Sequence, residues 1–179
     1  MSQPPDPTGT GANEVELDPA QVGYLRQRLE SEQNLVAGAA AGFAASLVGA
    51  AAWAGMTVAT GFQIGFMAIG IGFLVGYAVR TAGRGVTSTF GVVGATLALV
   101  GCALGNLLAV TAIVAGNDGV PFFEALGQLD VALARELMVA FFSPMDLLFY
   151  GFAVYEGYRL SFRELGASEL EGMLSGGGT

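Results

Sequence analysis

The chain of 179 residues is 53% hydrophobic and only 12% charged, with 28 glycines and a mean hydropathy of +0.59. A soluble globular domain carries about 25% charged residues, so this composition predicts a membrane protein. The net charge is −8 and the seven basic residues are all arginines, which excludes the basic face that nucleic-acid binding requires. Histidine is absent and Cys102 is the single cysteine. We therefore expect no metal site, no cofactor and no enzymatic activity.

The N-terminal region is polar and divides into two parts. Residues 1–17 are rich in proline, glycine, threonine and acidic residues, which predicts a disordered cytoplasmic tail. The run DPAQ from Asp18 is typical of a helix start, with an N-cap followed by proline. Three apolar residues then share one helical face: Val22, Leu25 and Leu29. This pattern predicts an amphipathic cytoplasmic helix over 18–33.

Four apolar runs follow, and a membrane-spanning helix needs about 20 such residues to cross roughly 30 Å of hydrocarbon. The predicted spans of this four-helix membrane domain (34–162) are 34–57, 62–79, 89–115 and 144–160. The segment 121–142, between the third and fourth spans, carries four charged residues, which predicts an amphipathic helix at the outer membrane surface. The alternative is a re-entrant segment. The predicted fold is thus an all-α, polytopic membrane protein.

The arginines predict the orientation of the chain. Six of the seven fall on one side of the predicted spans: Arg26, Arg28, Arg80, Arg84, Arg159 and Arg163. By the positive-inside rule this side is the cytoplasm. Both termini, including a tail over 163–179, are therefore expected to be cytoplasmic.

Small residues four apart in the spans predict close helix packing, because two glycines at this spacing lie on one face and let two backbones approach. The pairs are Gly38 with Gly42, Gly72 with Gly76, and Gly101 with Gly105. Packing within the chain is favoured over a dimerisation face.

Asp146 has two interpretations. Ser143 and the following proline place it at the third position of a helix, where a carboxylate caps the helix N-terminus. Alternatively, Asp146 lies at the same depth as Gln63 and Asn106 and forms a polar pocket with them that opens to the outside.

A second set of polar residues lies near the predicted inner surface. Glu156 precedes Arg159 by three residues, and Arg80 ends the second span. A partly desolvated Glu156 is costly without a partner, so we expect it to pair with Arg80 or Arg159. The functional alternative is a proton-linked or ion-linked carboxylate. Trp53 and the tyrosines, with Tyr150 the deepest, are expected in the interfacial belts.

Two parts of the sequence carry a resemblance to known proteins. The run from Phe62 to Arg80 and the segment SPMDLLFYGFAVYEGYRLSF, from Ser143 to Phe162, resemble small bacterial four-span integral membrane proteins that have no assigned function. The resemblance implies only a location in the bacterial cytoplasmic membrane, because these proteins have no known active site whose residues could be matched to this chain.

Two functions agree with these features. The first is a non-enzymatic membrane subunit or scaffold, whose partners are the lipid bilayer, further copies of the chain or another membrane protein. The second is a small transporter or channel component that uses Gln63, Asn106, Asp146 and Glu156.

Cysteine labelling tests the predicted topology. In a Cys102→Ser background, Ser2→Cys and Ser175→Cys are expected to stay protected from a membrane-impermeant reagent in intact cells. Asn117→Cys is expected to react, because the arginines place it on the opposite side of the membrane. Labelling of Ser175→Cys from outside would overturn the four-span count.

Overall fold

The computed structural model of the protein describes residues 19–163. The predicted tail 1–17, the Asp18 cap and the tail from residue 164 onward lie outside the described residues. Over 19–163 the fold is all-α, as the sequence predicts, with seven helices and no strand. The helices are α1 (Pro19–Ser31), α2 (Leu35–Thr60), α3 (Met67–Gly83), α4 (Ser88–Asp118), α5 (Phe122–Gly127), α6 (Val131–Phe141) and α7 (Pro144–Leu160).

Most of α1, up to Leu29, lies in a different compact unit from residues 30–163. Along this helix Val22, Leu25 and Leu29 are half-buried, whereas Arg26 and its polar neighbours are exposed. The spacing of the half-buried residues is that of one helical face.

The bundle is built around the pair α3 and α4. These two helices pack against each other, and each also packs against both α2 and α7. Two helices, α2 and α4, are long and apolar enough to cross a membrane, and the number rises to three if α6 and α7 are one bent span. The chain therefore has the apolar helices of a membrane protein.

The second predicted span, 62–79, differs most from the observed helices. Gly61 has a φ of 70° and ends α2, its N–H donating to Thr57 O at 2.8 Å. The chain then runs without helix until α3 begins at Met67, and α3 continues to Gly83. Hydrophobicity alone does not separate these irregular residues from helix. Backbone of this kind is tolerated at membrane depth where it is buried in protein or lines water.

The segment 121–142 forms two helices rather than the single helix that the sequence predicts. Asp130 starts the second of them, because its side chain accepts a hydrogen bond from Leu133 N at 2.7 Å. The axes of α6 and α7 differ in direction by 104°. Leu133 and Leu137 of α6 line a cavity of about 220 Å³ with residues of α4 and α5. One side of α6, on which Leu137 is half-buried, therefore faces α4 and α5, while Val139 and Phe141 stay exposed.

The six glycines predicted for helix packing all lie at contacts between helices. A Cβ atom on Gly72 would lie 2.7 Å from Ala153 Cα, so α3 and α7 meet backbone to backbone. A Cβ on Gly38 would lie 3.1 Å from Gly83 Cα, at the contact of α2 with α3. The others face side chains or backbone of a neighbouring helix: Gly42, Gly76, Gly101 and Gly105.

Leucine substitution tests the backbone contact. Gly72→Leu is expected to destabilise the bundle strongly, because the backbone of Ala153 cannot move aside as a flexible side chain could. Gly70→Leu, on the same helix, is the matched control, since a Cβ at Gly70 meets no atom of a neighbouring helix within 4 Å. The readout is the temperature of aggregation in detergent. Equal loss in both variants would contradict the observed packing.

Candidate functional site

The polar residues of the bundle converge around Asn106, which lies on α4 and is 1% exposed. Gln63 Nε2 donates a hydrogen bond to Asn106 Oδ1. Gln63 is half-buried and belongs to the irregular residues between α2 and α3. The structure thus brings together two of the three residues predicted to form a polar pocket.

Tyr150 of α7 joins these amides to Asp146. Its hydroxyl donates to Cys102 O at 3.2 Å and lies close to the side-chain amide of Asn106, and the charge of Asp146 acts on it. We refer to Gln63, Asn106, Tyr150 and Asp146 as the Asn106 cluster. Sequence reasoning assigned Tyr150 to an interfacial belt and missed this role. Its position four residues after Asp146, on the same helix face, was the available signal.

Asp146 is a helix cap, as one of the two interpretations predicts. Ser143 and Asp146 form a capping box, in which Ser143 N donates to Asp146 Oδ2 at 2.8 Å. Met145 N donates to Ser143 Oγ at 3.3 Å. Asp146 is 9% exposed and therefore caps α7 from a buried position.

Two buried donors of this region have no hydrogen-bond partner among residues 19–163. They are Asn106 Nδ2 and Trp53 Nε1. The interfacial position predicted for Trp53 is wrong, because the side chain is 1% exposed and belongs to the core. Its ring packs where Gly105 leaves space, since a Cβ there would lie 2.8 Å from Trp53 Cε3.

The expected ion pair of Glu156 does not form with either arginine. Arg159 Nη1 instead donates to Tyr155 Oη at 3.5 Å, and within the described chain no salt bridge joins Glu156 to Arg80 or Arg159. An i,i+3 pair on a helix surface contributes only about 0.2–0.5 kcal/mol, which does not hold the half-buried Glu156 and the exposed Arg159 together. The three residues share one end of the bundle without forming a cluster.

The ends of α2 and α4 and the start of α5 enclose a cavity of about 360 Å³. Its polar lining comes from Thr57 and Asn117, and the remaining walls are mainly apolar. Thr57 is already engaged, because its hydroxyl donates to Trp53 O at 3.1 Å. Nothing in this lining supplies a charged group for a ligand.

Comparison with protein-family models, with curated proteins and with solved structures finds no match. The Asn106 cluster offers two amides, a phenol and a capping carboxylate. These groups bind through hydrogen bonds, and they include no nucleophile paired with a general base.

Substitutions at Asp146 separate its cap from its charge. Asp146→Asn is expected to change stability little, because asparagine keeps an acceptor for Ser143 N. Asp146→Leu removes the acceptor and is expected to cost about 1 kcal/mol of unfolding free energy. Both values can be measured by denaturant titration of the purified protein. An equally large loss in Asp146→Asn would show that the negative charge, and not the cap, stabilises α7.

Proposed function

We propose that this chain is a four-span membrane protein that acts as a non-enzymatic membrane subunit or scaffold through helix packing and oligomerisation. The single observation that carries the proposal is that the polar side chains of the Asn106 cluster are already engaged within the protein. Gln63, Asn106 and Tyr150 bond to one another or to backbone, and Asp146 caps a helix. Groups already engaged in this way stabilise a bundle and are not free to exchange an ion.

The packing of α7 supports the same conclusion. Asp146 and Glu156 are ten residues apart, or about 15 Å along the helix. Between them the inward-facing positions are occupied by Tyr150 and Ala153, which are 7% and 0% exposed. The backbone of Ala153 lies directly against Gly72. A hydrated path that joined the two carboxylates along this face of α7 would have to pass through this contact.

The four crossings of the proposal are α2, α3 with the irregular residues before it, α4 and α7. α3 and α7 have 17 residues each, or about 25 Å of helix, slightly less than the hydrocarbon thickness. The bend of 104° supports an α6 that lies along the membrane surface if α7 crosses it. This arrangement leaves the charged side chains of Arg135 and Glu136 exposed.

In this proposal the protein lies in the bacterial cytoplasmic membrane with both termini in the cytoplasm. Arg80, Arg84, Arg159 and Arg163 support the orientation, because they occur at one end of the bundle, where Arg163 N donates to Gly85 O at 2.9 Å. The lipid bilayer covers the apolar outer surface. Further copies or another membrane protein are the proposed partners.

A small transporter or channel component is the second candidate. It is favoured by the convergence of Gln63, Asn106 and Asp146, with Tyr150, at one level of the bundle. Glu156 would be the inner carboxylate of its path. This candidate requires the contact between Gly72 and Ala153 to open during each cycle.

Reconstitution separates the two candidates. The wild-type chain in liposomes is expected to carry no gradient-driven flux of protons, monovalent cations or anions. Fluorescence energy transfer between labelled copies is expected to persist on dilution with lipid, as for a stable oligomer. Glu156→Gln and Asp146→Asn are the matched variants. A wild-type flux that both variants abolish would contradict the scaffold and support transport.

A further inference from the structure

Three arginines come together where α3 and α7 end. Arg80 lies in the last turn of α3, and Arg84 caps this helix, its N–H donating to Arg80 O at 2.9 Å. Arg163 follows α7, and its N–H donates to Gly85 O, also at 2.9 Å. These two main-chain hydrogen bonds hold the three backbone positions next to one another. We refer to Arg80, Arg84 and Arg163 as the arginine group.

The packing of α3 against α7 fixes the position of the arginine group. Gly76 meets α7 closely, because a Cβ on it would lie 2.8 Å from Leu160 Cβ. Arg80 follows Gly76 by four residues and so lies one turn further along the same helix face. It is half-buried, whereas Arg84 and Arg163 are exposed. The bundle itself therefore holds the backbone of the group and leaves two of its side chains accessible.

The charge at this end is positive. The run from Arg80 to Thr87 contains two arginines and no acidic residue. Glu156 is the acidic residue in the last two turns of α7, and in the described chain it forms no salt bridge with the arginine group. Glu32 also lies at this end, next to Gln33, and has an interaction of its own. The arginine group thus presents a net positive charge at the surface.

Tyrosines indicate the depth of this end in the membrane. Tyr77 precedes Arg80 by three residues on α3, and Tyr155 and Tyr158 lie in the last two turns of α7. All three tyrosines are exposed. Exposed tyrosines at the ends of membrane spans lie at the level of the lipid headgroups. The arginine group follows them along both helices and so lies at the level of the lipid phosphates.

Arginine suits a phosphate in both charge and shape. A guanidinium presents its N–H donors in a planar fork that binds two phosphate oxygens at once. Basic pockets between membrane helices bind anionic headgroups in this way. A zwitterionic lipid also brings an ammonium group, which the arginines repel. The chemistry therefore selects a lipid that has a phosphate and no cationic headgroup.

We propose that Arg80, Arg84 and Arg163 form a binding site for the phosphate of an anionic phospholipid. The site rests on the proposed membrane crossings of α3 and α7. It goes beyond the scaffold role, because that role requires no particular lipid.

Lipid titration of the purified full chain in detergent tests the site. The probes are phosphatidylglycerol, phosphatidylcholine with the same acyl chains, and inorganic phosphate, and the readout is the affinity by microscale thermophoresis. Phosphatidylglycerol is expected to bind more tightly than the other two probes. Arg84→Gln and Arg163→Gln are each expected to weaken its binding about fivefold, since one arginine near anionic lipid contributes about 1 kcal/mol.

Arg135→Gln is the matched control, because it makes the same change of charge at an exposed arginine of α6, at the other end of the bundle. Its affinity for phosphatidylglycerol is expected to equal that of the wild type. If Arg84→Gln does not fold, Arg84→Gly replaces it, since the φ of 50° at this position suits glycine.

Two results would overturn the proposal. The first is binding of phosphatidylcholine or inorganic phosphate as tight as that of phosphatidylglycerol. The second is an equal loss in Arg135→Gln, because the attraction would then come from net charge alone. The titration is made in detergent, so its outcome is separate from the cysteine labelling that tests the crossings and from the flux measurement that tests the scaffold.

Discussion

Direct contact between helix backbones is the constraint on which this bundle depends. Lipid tails are as apolar as leucine, so burial of apolar side chains adds little to the association of helices in a membrane. Close packing of helix backbones takes its place, for example where Gly72 lies against Ala153 and where Gly38 lies against Gly83. These contacts bring α3 against both α7 and α2. Because α4 packs on the same three helices, the four form one unit.

Polar contacts act within this close packing. Ser46 Oγ donates to Leu97 O at 2.8 Å and joins α2 to α4, and Cys102 Sγ lies 3.6 Å from Ala68 O between α4 and α3. Such bonds contribute modestly to stability in a membrane, with an average of about 0.6 kcal/mol. They do, however, define which faces meet. The Asn106 cluster extends this pattern to α7.

The two ends of the bundle differ in how the chain connects the helices. The difference comes from the loop between α2 and α3 and from the short helices α5 and α6. At one end, Gln33 Oε1 accepts hydrogen bonds from Val86 N and Thr87 N, and Asn34 N donates to Gly83 O. These bonds join the chain just before α2 to the short connection between α3 and α4. At the other end the chain turns inward to place Gln63 beside Asn106, and two short helices pack on α4.

The sequence by itself determined the helical class, the apolar character, the cap at Asp146 and the glycines at helix contacts, because these depend on local spacing and composition. The first, third and fourth predicted spans lie close to α2, α4 and α7. Only the tertiary structure decided the late start of α3, the burial of Trp53 and the role of Tyr150. It also separated Glu156 from its expected arginine partners. Each of these depends on what a residue meets on a neighbouring helix, and the periodicity of one segment carries no information about the side chains that face it.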